Sequence, residues 1–253
     1  MTITAAATDP EVAGWVRRVA AGQDARVGPT TPVVRLLTYP LPTRPVLPEK
    51  SNVFLCAGVA VRVHRAGTDP VGLTRRLAAI ARPDLEPLWI QPLGYRPLAL
   101  PDGRLATVWP RVGVLSTLDK PPWEEAARLL ARLHRCPVPA DAPAARPLVP
   151  GPATAWIHGG FHLGHLAHTP LRQRWKLVDL DTLGLGQPAQ DLARPAACHA
   201  AGLLEDADWE AFLTAYRGAG GPAVPASGDP WPSLEAPARA AARVWGLALS
   251  DRR

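Results

Sequence analysis

Cysteine is scarce in this chain: Cys56, Cys136 and Cys198 are the whole supply in 253 residues, and no two form a CxxC pair. That excludes a disulfide framework and a thiolate zinc site, and it fits a reducing cytoplasm. Long apolar runs are missing too. No window approaches about 18 consecutive apolar residues, and the start, MTITAAATDPEVAGWVRR, has no basic segment followed by an apolar one. The expectation is a soluble, unprocessed cytoplasmic protein without a membrane partner. Lysine is rare, 3 residues against 25 arginines, and the arginines behind the net charge of +6 are scattered. With no basic run and no basic face interleaved with aromatics, a nucleic-acid partner is excluded. What is abundant is apolar surface: 47% hydrophobic residues suffice for a sizeable core, as one large domain or as two lobes sharing a cleft.

Asp9-Pro10 opens a helix, with Asp9 as N-cap and Pro10 at its first position, followed by Val12, Trp15, Val16 and Val19 at helical spacing. Residues 28–50 hold six prolines and read as an irregular connection. Ser51–Cys56 and Val59–Val63, joined at Ala57-Gly58, read as a hairpin of β-branched strands. A helix is expected over 71–81, and strands over 88–90 and 105–109. From Trp109-Pro110-Arg111-Val112 onward the pattern turns helical, with Trp123, Ala126, Leu130 and Leu133 forming a stripe over 122–134. A proline-rich loop over 136–152 leads to WIHGGFHLGHLAH, residues 156–168, and then to a strand over 174–181 that ends in carboxylates. Helices follow over about 191–204, 208–216 and 233–249. No internal repeat is visible.

Four of the seven histidines, His158, His162, His165 and His168, crowd into 156–168 at spacings of 4, 3 and 3. On one helix that spacing would suit zinc, but Gly159, Gly160 and Gly164 argue against such a helix. Two carboxylates, Asp179 and Asp181, end the next strand, where alternate residues of an extended chain point to one side, so that the pair would share one cation.

HGGFHLGH followed by WKLVDLDTLGLGQPAQDLA resembles the aminoglycoside phosphotransferase and choline kinase family, whose pattern is HGDxHxGN, a hydrophobic strand ending IDxD, then GDPAxDLA. The resemblance runs over roughly residues 50 to 215 and takes in SNVFLCAGVAVRVHR, ATVWPRV and EEAARLLARLH. It implies a two-lobed, protein-kinase-like α+β fold. Residues 1–110 would form the N-terminal lobe, an N-terminal helix and a small antiparallel sheet. Residues 111–253 would form a helical C-terminal lobe carrying a catalytic-type loop over 156–168 and a metal-type loop over 178–186.

It also implies ATP and Mg²⁺ as cofactors, with phosphoryl transfer to a hydroxyl of a small molecule or a peptide. Arg62 would contact the nucleotide phosphates, and Trp109 and Val112 would flank the base. Asp179, helped by Asp181 and His165, would hold the metal. His158 and His162 would support the loop, and so would Asp191, placed where an N-cap is wanted.

The departures touch the chemistry itself. Gly160 stands where the family has its catalytic Asp, and His165 where it has Asn or Gln. DPVGLTRRLAAIARP offers no Glu for Arg62, Gln187 replaces an Asp, and only 23 residues separate His134 from His158, so the helical insertion is much reduced. No catalytic residue is assigned with certainty; His162 is a candidate base. Two readings stay open: a phosphotransferase with impaired or atypical catalysis, and a pseudokinase that binds nucleotide, substrate or a protein partner.

Overall fold

The computed structural model describes residues 9–38, 49–115, 120–169 and 172–249. Helix α1, Pro10–Ala21, is capped by Asp9, whose side chain accepts the Glu11 N–H. Strands β1 (Val33–Thr38), β2 (Glu49–Cys56), β3 (Val59–Val63), β4 (Leu98–Ala99) and β5 (Leu105–Pro110) form an antiparallel sheet in the order β1-β2-β3-β5-β4. Strand period sorts its two faces. Phe54, Val61 and Val108 are cross-strand neighbours and pack with Trp15 and Val16 of α1. The opposite face carries Leu55, Ala60 and Trp109 in one row and Val53, Arg62 and Thr107 in the next.

Helix α2, Pro70–Ile80, starts at Asp69, which accepts N–H bonds from Val71 and Gly72. The short strand β6 (Gly113–Val114) pairs with β8 (Leu166–Thr169), which pairs with β9 (Arg172–Leu177); β7 (Ala155–Ile157) pairs with β10 (Gly184–Gly186). Helices α3 (Trp123–Arg135), α4 (Ala189–Ala200), α5 (Asp206–Gly218) and α6 (Trp231–Trp245) complete an α+β fold. The larger core joins Leu73 and Leu77 of α2, Trp89, Leu130 of α3, Trp156, Phe212 and Tyr216. Helices α4 and α6 lie against one another and bury small residues, Ala193, Ala196 and Ala197 from one and Ala238, Ala241 and Ala242 from the other, so their backbones come close. Among the described residues no helix is long and apolar enough to cross a membrane.

Three sequence expectations give way. Within 28–50, Val33–Thr38 is a strand paired to β2. Pro29 and Pro32 precede it without entering it, and the other four prolines of that stretch lie outside the described residues. Residues 88–90 are not a strand: Glu86–Leu88 is a 3₁₀ turn containing Pro87, and Trp89 makes only an isolated bridge to Leu177. The expected strand over 174–181 ends at Leu177, because Asp179 takes a left-handed φ of 68° that no strand accommodates.

Candidate active site

The catalytic-type loop leaves β7 and is gripped at once from α4. Asp191, 0% exposed, accepts the His158 N–H at 2.6 Å on one carboxylate oxygen and the Gly159 N–H at 2.7 Å on the other. The helix begins at Ala189, so Asp191 stands in its first turn and does not cap it; its oxygens go to the loop instead. His134 Nε2 lies 3.0 Å from the same carboxylate, and its Nδ1 lies 2.7 Å from the Tyr216 hydroxyl. A carboxylate only accepts, so His134 donates to it from Nε2–H; in the neutral ring Nδ1 then accepts from the Tyr216 hydroxyl, which itself accepts the Ala223 N–H. Gln190 adds a bond from Nε2 to the Gly159 carbonyl at 2.9 Å.

Position 159 has to be glycine. Its φ is 85°, and a Cβ there would run into the Thr182 carbonyl oxygen. Gly160 has no such need: a Cβ would meet only Thr182 Oγ1, at 3.4 Å, in ordinary contact. The absence of a side chain at 160 is not a demand of the fold.

His158 is fully buried, donates from Nε2 to the Val178 carbonyl at 2.9 Å, and its own carbonyl receives the Thr182 hydroxyl at 2.8 Å. Its ring stacks between Trp89 at 5.4 Å and His165 at 4.7 Å, and His162 lies 3.7 Å beyond His165. Burial first, then the neighbouring His165, push its pKa down to about 4. Its proton uptake is thus displaced to lower pH in the folded chain, and the unfolded chain binds more protons between the two values. Stability is expected to fall as pH drops from about 6.5 towards 4, by up to ~3 kcal/mol from this residue, as read from denaturation midpoints across that range. A flat profile there would show His158 to be solvated.

His162 does not serve as the expected base in this arrangement. Its Nδ1 accepts the Gly164 N–H at 3.0 Å, and burial with His165 holds its pKa well below normal. The neutral ring therefore carries its proton on Nε2, which leaves it a donor.

The metal-type residues are brought together, though not around a vacant centre. Arg62 Nη2, from the cleft face of β3, lies 2.6 Å from Asp181 Oδ2 and 2.9 Å from Asp179 Oδ2. His165 Nε2 is 3.3 Å from the same Asp179 oxygen. Asp179 Oδ1 accepts the Asp181 N–H at 3.3 Å, and Asp181 Oδ1 faces His64 Nδ1 at 2.9 Å, off the line of a good hydrogen bond. Burial would raise the Asp179 pKa, but Arg62 and His165 outweigh it and hold the carboxyl well below its usual range. Burial likewise opposes the Arg62 charge, and the two aspartates overcome it. The chain reaches this meeting point through the left-handed turn at Asp179, not through strand alternation.

A hard dication needs several free oxygens. Here each carboxylate oxygen is taken or faced by a nitrogen, and the third candidate ligand, His165, is an imidazole. Among the described residues no group of three or more His, Cys, Asp and Glu is placed to hold a metal. The residues as arranged do not fit Mg²⁺, and no step below is routed through it.

His64 and Thr107 belong to the site and were not singled out from the sequence. Trp109 Nε1 donates to Thr107 Oγ1 at 2.8 Å, and that hydroxyl lies 3.0 Å from His64 Nε2, whose other ring nitrogen faces Asp181. The signal was available: His64 directly follows β3, two residues past Arg62, where the strand period would carry it to the same side. Trp109 packs on the cleft face, and Val112 is half-buried just past β5. A cavity of about 250 Å³ nearby is lined by Thr31, Pro32, Val34, Leu55, Ala57 and Arg111, without Trp109 or Val112. In place of the absent helix Glu, α2 sends Arg76 to the Leu183 carbonyl at 2.9 Å, tying that helix to the 178–186 loop.

With this geometry in hand, the sequence matches the model of the phosphotransferase enzyme family over residues 50–231. The chain belongs to that family. Two solved structures share the fold of this phosphotransferase-family chain. One is a choline/ethanolamine kinase family protein from Mesorhizobium loti, 17% identical, covering 81% of this chain and 75% of its own, with a TM-score of 0.51. The other is a macrolide 2′-phosphotransferase type I, 14% identical, covering 97% and 92%, with a TM-score of 0.50. Comparison with curated proteins finds no match. The fold is the two-lobed, kinase-like α+β fold expected from the sequence.

Proposed function

We propose that this phosphotransferase-family chain binds ATP between an N-terminal lobe, residues 1–110, and a helical lobe, residues 111–253, and transfers phosphate to a small-molecule or peptide hydroxyl with impaired catalysis. The observation that carries the reading is Arg62 bridging Asp179 and Asp181 beside a loop with no carboxylate at 160. The group assigned to the nucleotide phosphates is withdrawn onto the groups assigned to the metal. A triphosphate has to compete for Arg62 against two carboxylates, and the acceptor hydroxyl finds no proton acceptor at Gly160. Positioning and electrostatics supply most of the acceleration in phosphoryl transfer, so losing the base slows the reaction without abolishing it. The apolar cavity lined by Val34, Leu55 and Ala57, beside the end of β5, supports a base-binding role for this side of the cleft.

ATP at about a hundredfold its Kd is expected to raise Tm by roughly 5–10 °C, equally with Mg²⁺ and with EDTA. Absence of a shift with any nucleotide sinks the reading. In single-turnover assays Gly160→Asp, at a position where a Cβ fits, is expected to raise transfer about 10²-fold. Transfer by the unaltered chain at the ~1–100 s⁻¹ of ordinary kinases contradicts impaired catalysis.

The second reading, an inactive binding module or partner protein, is favoured by one observation: the Nδ1 lone pair of His162 is already engaged by Gly164. It requires nucleotide binding with no transfer even at single turnover.

A further inference from the structure

The cleft face of the N-terminal sheet is already covered where an open base slot would be wet. One row crosses four strands there: Val34 opposite Leu55, Leu55 opposite Ala60, and Ala60 opposite Trp109. Leu55 and Ala60, in the middle of that row, are each only 8% exposed. Among the described residues, the partly buried apolar groups packed on this pair are Val34, Val53 and Trp109. Side chains directly opposite one another on paired strands touch, so the indole is the large group that shields the small Ala60. Its polar edge is also spoken for: Nε1 donates at 2.8 Å to Thr107 Oγ1, and Thr107 is buried. The ring is thus pinned over the sheet by a buried acceptor.

Thr107 stands in the next row, opposite Arg62, two residues along β5 from Trp109 and so about 7 Å from it. A nucleotide that laid its base on Leu55 and Ala60 and its phosphates at Arg62 would have to cross the space between these rows, where the indole lies. The cavity of about 250 Å³ is lined by Val34 and Leu55 of the same row but not by Ala60 or Trp109, so it ends before the indole. We propose that Trp109 occupies the inner base slot in place of a ligand, and that it sets nucleotide selectivity by confining a bound base to the outer cavity beside Leu55 and Arg111. This rests on nucleotide binding in the cleft, as under the proposed function. The ligand class that follows is a phosphorylated nucleoside held chiefly through its phosphates. A nucleoside without phosphates finds its slot filled.

Isothermal titration calorimetry of the full chain with adenosine and with inorganic tripolyphosphate separates base from phosphate. Truncating a large packed side chain opens an apolar cavity, and such a cavity admits a planar ligand. Trp109→Ala is therefore expected to bind adenosine at least about tenfold more tightly than the unaltered chain, while tripolyphosphate affinity stays within about twofold. ATP should gain by the same factor as adenosine.

If that variant does not fold, Trp109→Leu keeps an apolar cover on Ala60 and is expected to show a smaller gain in the same direction. Weaker adenosine binding by the variant would make the indole a stacking platform for the base, and unchanged binding would mean that it fills no slot; either result overturns the proposal. The ATP-dependent Tm measured on the same samples separates the two readings. An ATP response in the unaltered chain with no gain for adenosine in the variant removes the Trp109 proposal alone. A gain for adenosine in the variant with no ATP response in the unaltered chain removes the nucleotide reading alone.

Discussion

Asp191→Ala is expected to cost about 3–5 kcal/mol of stability, the largest single loss in the site. The carboxylate is wholly buried and accepts from His158 N, Gly159 N and His134 Nε2. Removing it strands three donors where water does not reach, and each stranded buried donor costs about 1–3 kcal/mol, with incomplete additivity because the loop relaxes. Against a total stability of about 5–15 kcal/mol this is a large share. For a chain of this size it corresponds to a fall in Tm of roughly 10 °C.

Asp191→Asn is expected to lose about half as much, since it keeps one acceptor oxygen but points an N–H₂ at the remaining donors. Urea midpoints measure the stability. Amide exchange at His158 and Gly159 localises it, and both should quicken by far more than global destabilisation explains. If Asp191→Ala costs under ~1 kcal/mol, the loop is held elsewhere, by Thr182 and Gln190.

The features that were legible in the sequence are those whose physics is local. Asp9-Pro10 announces a helix because an N-cap acceptor and a proline at the first position act within four residues. The hairpin at Ala57-Gly58 and the stripe of α3 are equally local, and the loop could be placed because its text resembles a family pattern. Illegible features depend on distant residues. Arg62 meets Asp181 at a sequence separation of 119, and nothing near either one shows that the guanidinium and the carboxylates share a centre.

Short strands escaped for a related reason. Strands β7 and β10 have three residues each, too few for an alternation, and exist because they pair with each other. Strand β1 was hidden by flanking prolines. Asp191 shows the same limit differently: a carboxylate at the start of a helix reads as a cap, and only the approach of the loop redirects it.

Arg62→Ala is the second large prediction, and it tests whether the guanidinium stands in for a cation. Its removal leaves Asp179 and Asp181 facing one another with only imidazoles and one backbone N–H for relief. Breaking a buried pair costs about 3–5 kcal/mol, and the partial exposure of these groups, 25% for the arginine and 35% for Asp181, brings the expectation down to about 2–3 kcal/mol. The same change frees carboxylate oxygens for a hard dication. Mg²⁺ or Mn²⁺ should therefore raise the Tm of Arg62→Ala while leaving the unaltered chain unmoved.

Arg62→Lys separates charge from geometry: a lysine ammonium keeps the positive charge but lacks the fork, so it should recover part of the stability and still exclude the metal. Stabilisation of the unaltered chain by Mg²⁺ to the same degree as the alanine variant would show that the dication displaces Arg62 freely, and the carboxylates would then belong to a metal site after all. Failure of the metal to stabilise either chain would leave Arg62 as a structural bridge whose loss opens nothing. The expected pattern, metal response only after the arginine is gone, would mark this site as one in which a side chain has taken over the position of the ion.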